Sequence, residues 1–61
     1  MNFQQARTAW AEVTDRLDFA LQHAKRVAAD PHPINTEDVT VMQKRMEELQ
    51  RLLDRLLRGL S

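Results

Sequence analysis

The chain has 61 residues, no cysteine and a formal net charge of zero, from nine basic and nine acidic side chains. A domain of this size buries only about 60% of the surface that its unfolded chain exposes, so it needs a further source of stability. The absence of cysteine excludes disulfide bonds, and His23 and His32 do not have the spacing of a zinc site. We therefore expect stabilisation by association with another helical surface, and no metal or other cofactor.

The balanced charge also bears on the class of partner. Proteins that bind nucleic acid mainly through phosphate contacts carry a basic excess, and this chain has none. No apolar run reaches the roughly 18 to 20 residues that span a bilayer. Met1 to Ala9 lacks the basic region and apolar core of a signal peptide. We expect a cytoplasmic protein whose main partner is neither nucleic acid nor a membrane.

The first half of the chain has the pattern of one long helix. From Phe3 to Val27 the apolar residues follow alternating steps of three and four, which places them along one side of an α-helix. No glycine or proline interrupts this segment, and Asn2 followed by Gln5 has the pattern of a capping box. The sequence predicts a helix from about residue 2 to about residue 29.

Pro31 and Pro33 end this helix, because proline lacks a backbone donor and restricts the residue before it. After a loop at about residues 30–35, Asn35 or Thr36 can cap a second helix. The apolar residues from Val39 onward again alternate by three and four. The sequence predicts this second helix from about residue 36 to about residue 60.

The short loop requires the two helices to pack as antiparallel neighbours. The predicted fold class is all-α, with residues 1–61 forming a single antiparallel helical hairpin. The apolar residues with the three-and-four spacing form the seam of each helix: Phe3, Ala6, Trp10, Val13, Leu17, Ala20, Ala24 and Val27 in the first, and Val39, Met42, Met46, Leu49, Leu53, Leu56 and Leu60 in the second. Further apolar residues lie beside the seam, since Leu52 and Leu57 flank that of the second helix on opposite sides and Leu21 flanks that of the first. One neighbouring helix cannot cover so wide a stripe, so we expect two hairpins to form a homodimeric four-helix bundle.

The predicted core combines the large apolar residues of both helices, and within the hairpin we expect Leu17 near Leu49 and Trp10 in the core. The predicted core and dimer interface comprises Phe3, Trp10, Val13, Leu17, Leu21, Met42, Met46, Leu49, Leu52, Leu53, Leu56, Leu57 and Leu60.

Catalysis or metal binding inside a bundle requires polar side chains that project into the seam. All fifteen seam positions are apolar, and the chain has no Gly-rich phosphate loop or other catalytic motif. We predict that the chain is not an enzyme and has no catalytic or metal-binding residues. The outer charges have the four-residue spacing of surface ion pairs: Glu12 with Arg16, Glu47 with Arg51, and Asp54 with Arg58.

Phe19 and Val41 are apolar but occupy positions that face solvent in the predicted hairpin. Single exposed apolar residues are common, and the alternative is a role in recognition. The candidate partner-binding surface comprises Asp15, Phe19, Gln22, Arg26 and Val41. A second candidate is a basic ridge on the second helix, which would attract RNA or acidic lipid only weakly because carboxylates interrupt it. This ridge comprises Lys44, Arg51, Arg55 and Arg58.

The sequence favours a non-enzymatic protein–protein interaction module, a small dimeric regulator of the adaptor or inhibitor type. A phage or mobile-element accessory protein that binds a host regulator would be one example. The alternatives are a structural subunit or chaperone of a larger helical complex, and an RNA-binding modulator.

The RNA alternative comes from a resemblance. In length and architecture the chain resembles the Rop-type plasmid RNA modulators, with Phe19, Gln22 and Arg26 on the outer face of the first helix. The resemblance implies a homodimer whose exposed aromatic residue contacts paired RNA loops. Glu12 and Asp15 on the same stripe depart from what a phosphate-facing surface requires.

Overall fold

The computed structural model describes all residues, 1–61, and consists of two α-helices, α1 (Phe3–Ala29) and α2 (Thr36–Leu60). Both helices lie within a residue of their predicted bounds, and each begins with a capping box. In α1 the Gln5 N–H donates to Asn2 Oδ1 at 2.8 Å, and the Asn2 N–H donates to Gln5 Oε1 at 3.0 Å. These reciprocal bonds satisfy two of the donors that a helix start leaves free.

The loop is as short as predicted, and α1 packs antiparallel against α2. The cap of α2 is Asn35, whose side chain accepts from the Asp38 N–H at 2.9 Å, while the Asp38 carboxylate accepts from the Asn35 N–H at 3.2 Å. At the opposite end of the hairpin the amino group of Met1 donates to the carbonyl oxygen of Gly59 at 2.9 Å. A Cβ on Gly59 would lie 2.7 Å from Met1 Cε, the end of a flexible side chain that could move aside.

The hairpin is a single layer of helices. Its principal Cα extents are 46 × 16 × 9 Å, and only Val13, Ala20, Leu49 and Leu56 are buried. Stable domains normally pack two layers around a core. Neither helix is long and apolar enough to cross a membrane. One layer leaves each helix with an uncovered side, and the character of that side defines the candidate surfaces.

Only part of each seam faces the other helix, so the prediction that Trp10 lies in the core of the hairpin is wrong. The line through Ala6, Val13 and Ala20 packs against α2, whereas the line through Phe3, Trp10 and Leu17 lies on the rim and is exposed. The inner line of α1 consists of small side chains and that of α2 includes the larger Leu49 and Leu56, so the large side chains of α1 lie beside the contact between the helices. Trp10 is therefore not in the core of the hairpin, and Leu17 is 47% exposed.

Helix α2 divides in the same way. Leu49 and Leu56 lie on its inner line and are buried, with Met42 half-buried. Its rim line runs through Val39, Met46, Leu53 and Leu60, of which only Leu53 is half-buried and the others are exposed. The hairpin thus uses one of the two apolar lines of each helix and leaves the other uncovered.

Candidate interaction surfaces

The uncovered rim lines of α1 and α2 lie on the same broad side of the hairpin. Successive residues of an α-helix are rotated by about 100° around its axis, and on both helices this rotation places the rim line on the same rotational side of the inner line. Because the helices are antiparallel, equal displacements bring the two lines to one side. The structure shows this at the loop end, where Ala24 and Ala28 of α1 line one hollow with Val39 and Met42 of α2. We call this side the apolar face.

The apolar face carries most of the large exposed hydrophobic side chains. Phe3 is 79% exposed, Leu57 68% and Trp10 53%. Leu17, Leu21, Val39, Met46 and Leu60 are also exposed, and Leu53 is half-buried. The face therefore contains nine of the residues that sequence reasoning assigned to a core or dimer interface, and the seam residue Val39 lies beside them. The nine are Phe3, Trp10, Leu17, Leu21, Met42, Met46, Leu53, Leu57 and Leu60, of which Met42 also belongs to the inner line.

The relief of the apolar face differs between its two ends. Near the loop lies a hollow of about 280 Å³, lined mainly by small or branched apolar side chains that include Ala24, Val27 and Ala28. At the open end, where α1 begins and α2 ends, the bulky side chains of Phe3 and Leu60 stand exposed. The face thus has a hollow at one end and the large exposed side chains of Phe3 and Leu60 at the other.

The opposite side, which we call the polar face, is crossed by polar contacts between the helices. Arg16 Nη1 lies 3.3 Å from Glu48 Oε2, and both side chains are about half exposed. The Arg45 guanidinium lies over the Phe19 ring, 5.6 Å from its centroid, and Arg45 Nε is buried without a hydrogen-bond partner. Such contacts can hold exposed aromatic and charged groups in one orientation.

Near the loop, His23 adds a further contact between the helices. Its Nε2 lies 3.3 Å from the Asp38 carbonyl oxygen, and because a carbonyl can only accept, the ring nitrogen is the donor. This bond lies on the same side of the hairpin as the contacts of Arg16 and Arg45. The apolar rim lines lie on the other side.

The predicted surface ion pairs are found in part. Glu47 and Arg51 form theirs at 3.9 Å. Arg16 contacts Glu48 across the hairpin and not Glu12 along its own helix, and the Asp54 carboxylate accepts from Gln50 Nε2 at 3.0 Å. A contact between helices competes with one along a helix, and spacing along the sequence cannot show which is closer.

Both candidate surfaces from the sequence have members on the polar face. Phe19 is 58% exposed on the polar face, Asp15, Gln22 and Arg26 are exposed beside it on α1, and Val41 is half-buried one turn before Arg45. From the basic ridge, Arg51 and Arg55 line a groove of about 450 Å³ with Arg16. Glu12 and Glu48 line the same groove, so its basic charge is partly compensated. No three His, Asp or Glu side chains come together in a way that could hold a metal ion.

Sequence reasoning missed Arg45, the residue that links Phe19 to α2. Its signal was its position, one turn before the buried Leu49 and on the side toward α1. Comparison with protein-family models gave no match, and the searches of curated proteins and of solved structures gave no significant match. The physical properties of the two faces therefore carry the functional argument.

Proposed function

We propose that this chain is a non-enzymatic interaction module that pairs with a second copy through the apolar face and presents the polar face to a protein partner. The observation that carries the proposal is the continuous apolar face of a hairpin that is one layer thick. Large exposed apolar surfaces with polar surroundings mark sites of association in proteins.

The exposed area agrees with a dimer of ordinary size. The hairpin exposes 5106 Å², whereas a compact monomer of 7.1 kDa exposes about 4,100 Å². The excess is about 1,000 Å², close to the roughly 800 Å² per partner that a standard interface buries. A second copy presents the same apolar composition, and the resulting four-helix bundle leaves both polar faces outside.

The polar face supplies the features that a protein partner would recognise. Phe19 is an exposed aromatic ring held by Arg45, and aromatic residues with arginine are enriched at the centre of protein interfaces. Positive and negative groups are mixed in the groove on the same face, which suits a protein surface better than a row of phosphates. In a dimer the two polar faces point in opposite directions, so we expect one partner molecule per chain. This arrangement is that of a dimeric adaptor or inhibitor-type regulator.

The test is capture from an extract of the source organism, followed by reconstitution with the purified partner. Phe19→Glu should lose the captured protein while keeping the helicity and the mass of the wild-type chain. Ala11→Glu, on the outer side of α1, is the matched control and should retain the protein. Capture of RNA alone would favour the RNA-modulator alternative. Equal capture by Phe19→Glu and wild type would overturn the polar face as the binding surface.

A further inference from the structure

We propose that the two hairpins pair in opposite directions, so that the loop end of each copy covers the open end of the other. This inference rests on the proposed dimer and concerns its arrangement. Two hairpins placed face to face can be related by a two-fold axis along the helices, which brings the two loops together, or by an axis across the helices, which separates them.

The two ends of the apolar face differ in shape, and this difference favours one of the two arrangements. With the loops together, the hollow of about 280 Å³ in one copy would meet the same hollow in the other, and a void would remain. At the other end, Phe3, Trp10, Leu57 and Leu60 would meet the same bulky residues. Protein interiors tolerate neither voids nor overpacking well. With the loops apart, the large side chains at the open end of each copy meet the hollow of the other.

The positions along α1 have the symmetry that opposite pairing requires. Phe3 and Ala28 are equally distant from a point between Asp15 and Arg16, and so are Trp10 and Leu21. A two-fold axis across this point would place Phe3 of one copy beside Ala28 of the other. A large side chain then faces a small one at the end of the helix, where the hollow lies.

Helix α2 has the same symmetry about a point between Leu49 and Gln50. Val39 and Leu60 are equally distant from it, and two inner pairs follow: Met42 with Leu57, and Met46 with Leu53. Apolar positions that repeat by three and four are often symmetric about some point. Here the two points also lie at the same height, as the contact of Arg16 with Glu48 across the hairpin shows. One two-fold axis therefore serves both helices.

Distances between spin labels test the arrangement, because a chain without cysteine can be labelled at one chosen position. His32→Cys places the label in the loop. Opposite pairing predicts a label-to-label distance of about 46 Å, the length of the hairpin. Pairing with the loops together predicts about 20 Å, roughly two helix diameters. Gln4→Cys, near the open end, should give about 35 Å and about 20 Å in the same two cases.

A dimer with short distances at both positions would overturn the opposite pairing and leave the proposed dimer intact. A chain with the mass of a monomer and no dipolar coupling would overturn the proposed dimer itself. Circular dichroism of each labelled variant would verify that the hairpin is still folded.

A size exchange between Phe3 and Ala28 tests the same arrangement without labels. Phe3→Ala and Ala28→Phe should each weaken the dimer by about tenfold, and the double variant should recover most of the loss because the two changes compensate across the two-fold axis. Within one chain these residues lie at opposite ends of α1. Additive losses of about a hundredfold would contradict the proposal. Ala11→Phe, on the outer side of α1, is the control and should leave the affinity unchanged.

Discussion

The two broad faces of the hairpin are built from the same two helices but differ in whether their side chains find contacts within the chain. On the polar face, Arg16 finds Glu48 and Arg45 finds Phe19 within the chain. On the apolar face, large side chains such as Trp10 and Phe3 find no cover within the chain. A hairpin can complete polar contacts with two helices, but burying wide apolar stripes requires more layers. This difference is the basis for proposing that a second copy of the chain covers the apolar face.

The largest expected effect comes from placing a charge on each face in turn. Trp10 and Phe19 are nearly equally exposed in the hairpin, at 53% and 58%. Trp10→Glu should cost at least about 2 kcal/mol per copy, or roughly a thousandfold in the dimer dissociation constant, because two changed side chains enter each interface. Phe19→Glu should leave that constant within a few-fold of wild type. Sedimentation equilibrium of both variants measures the contrast, and similar losses in the two would show that the faces do not differ as argued.

A smaller effect is expected at Asn35, the residue that caps the start of α2. Asn35→Ala removes the side chain that accepts from the Asp38 N–H and starts α2. N-cap replacements of this kind cost about 1 kcal/mol, so thermal unfolding should shift to lower temperature by several degrees. The dimer should remain at high protein concentration, since neither face is altered. Complete loss of association would indicate that the loop takes part in the interface beyond its role in folding.

The smallest effect is expected on the polar face itself. Glu48→Gln removes the charge that faces Arg16, but both side chains are about half exposed, so the loss should be below about 0.5 kcal/mol. Thermal unfolding at low and high salt would measure it, and high salt should remove the difference from wild type. A loss above about 2 kcal/mol would mean that the polar contacts contribute more to the hairpin than their exposure suggests.

The sequence predicted the fold well because its signals are local. Pro31 and Pro33 fix the break, and Asn2 and Asn35 mark the helix starts through bonds to residues three positions away. These interactions depend on neighbours in the chain, and the structure confirms both helices and their antiparallel packing.

The sequence could not show which seam residues are buried between the two helices and which lie on the rim. Val13 and Trp10 belong to the same pattern of threes and fours, yet Val13 is buried in the hairpin and Trp10 lies on its rim. The division depends on how closely α1 and α2 approach, which the sizes of residues on both helices decide together. The contact of Arg45 with Phe19 depends on how the two helices are rotated against each other and could not be read from either helix alone.

The central claim is that the apolar face is covered by a second copy of the chain, and the mass of the protein in solution tests it most directly. Light scattering over a range of concentrations should give about 14 kDa, twice the 7.1 kDa of one chain, with dissociation only on dilution. The midpoint of thermal unfolding should rise with concentration, because association stabilises the folded chain. A mass of 7.1 kDa at high concentration, with unfolding independent of concentration, would contradict the account.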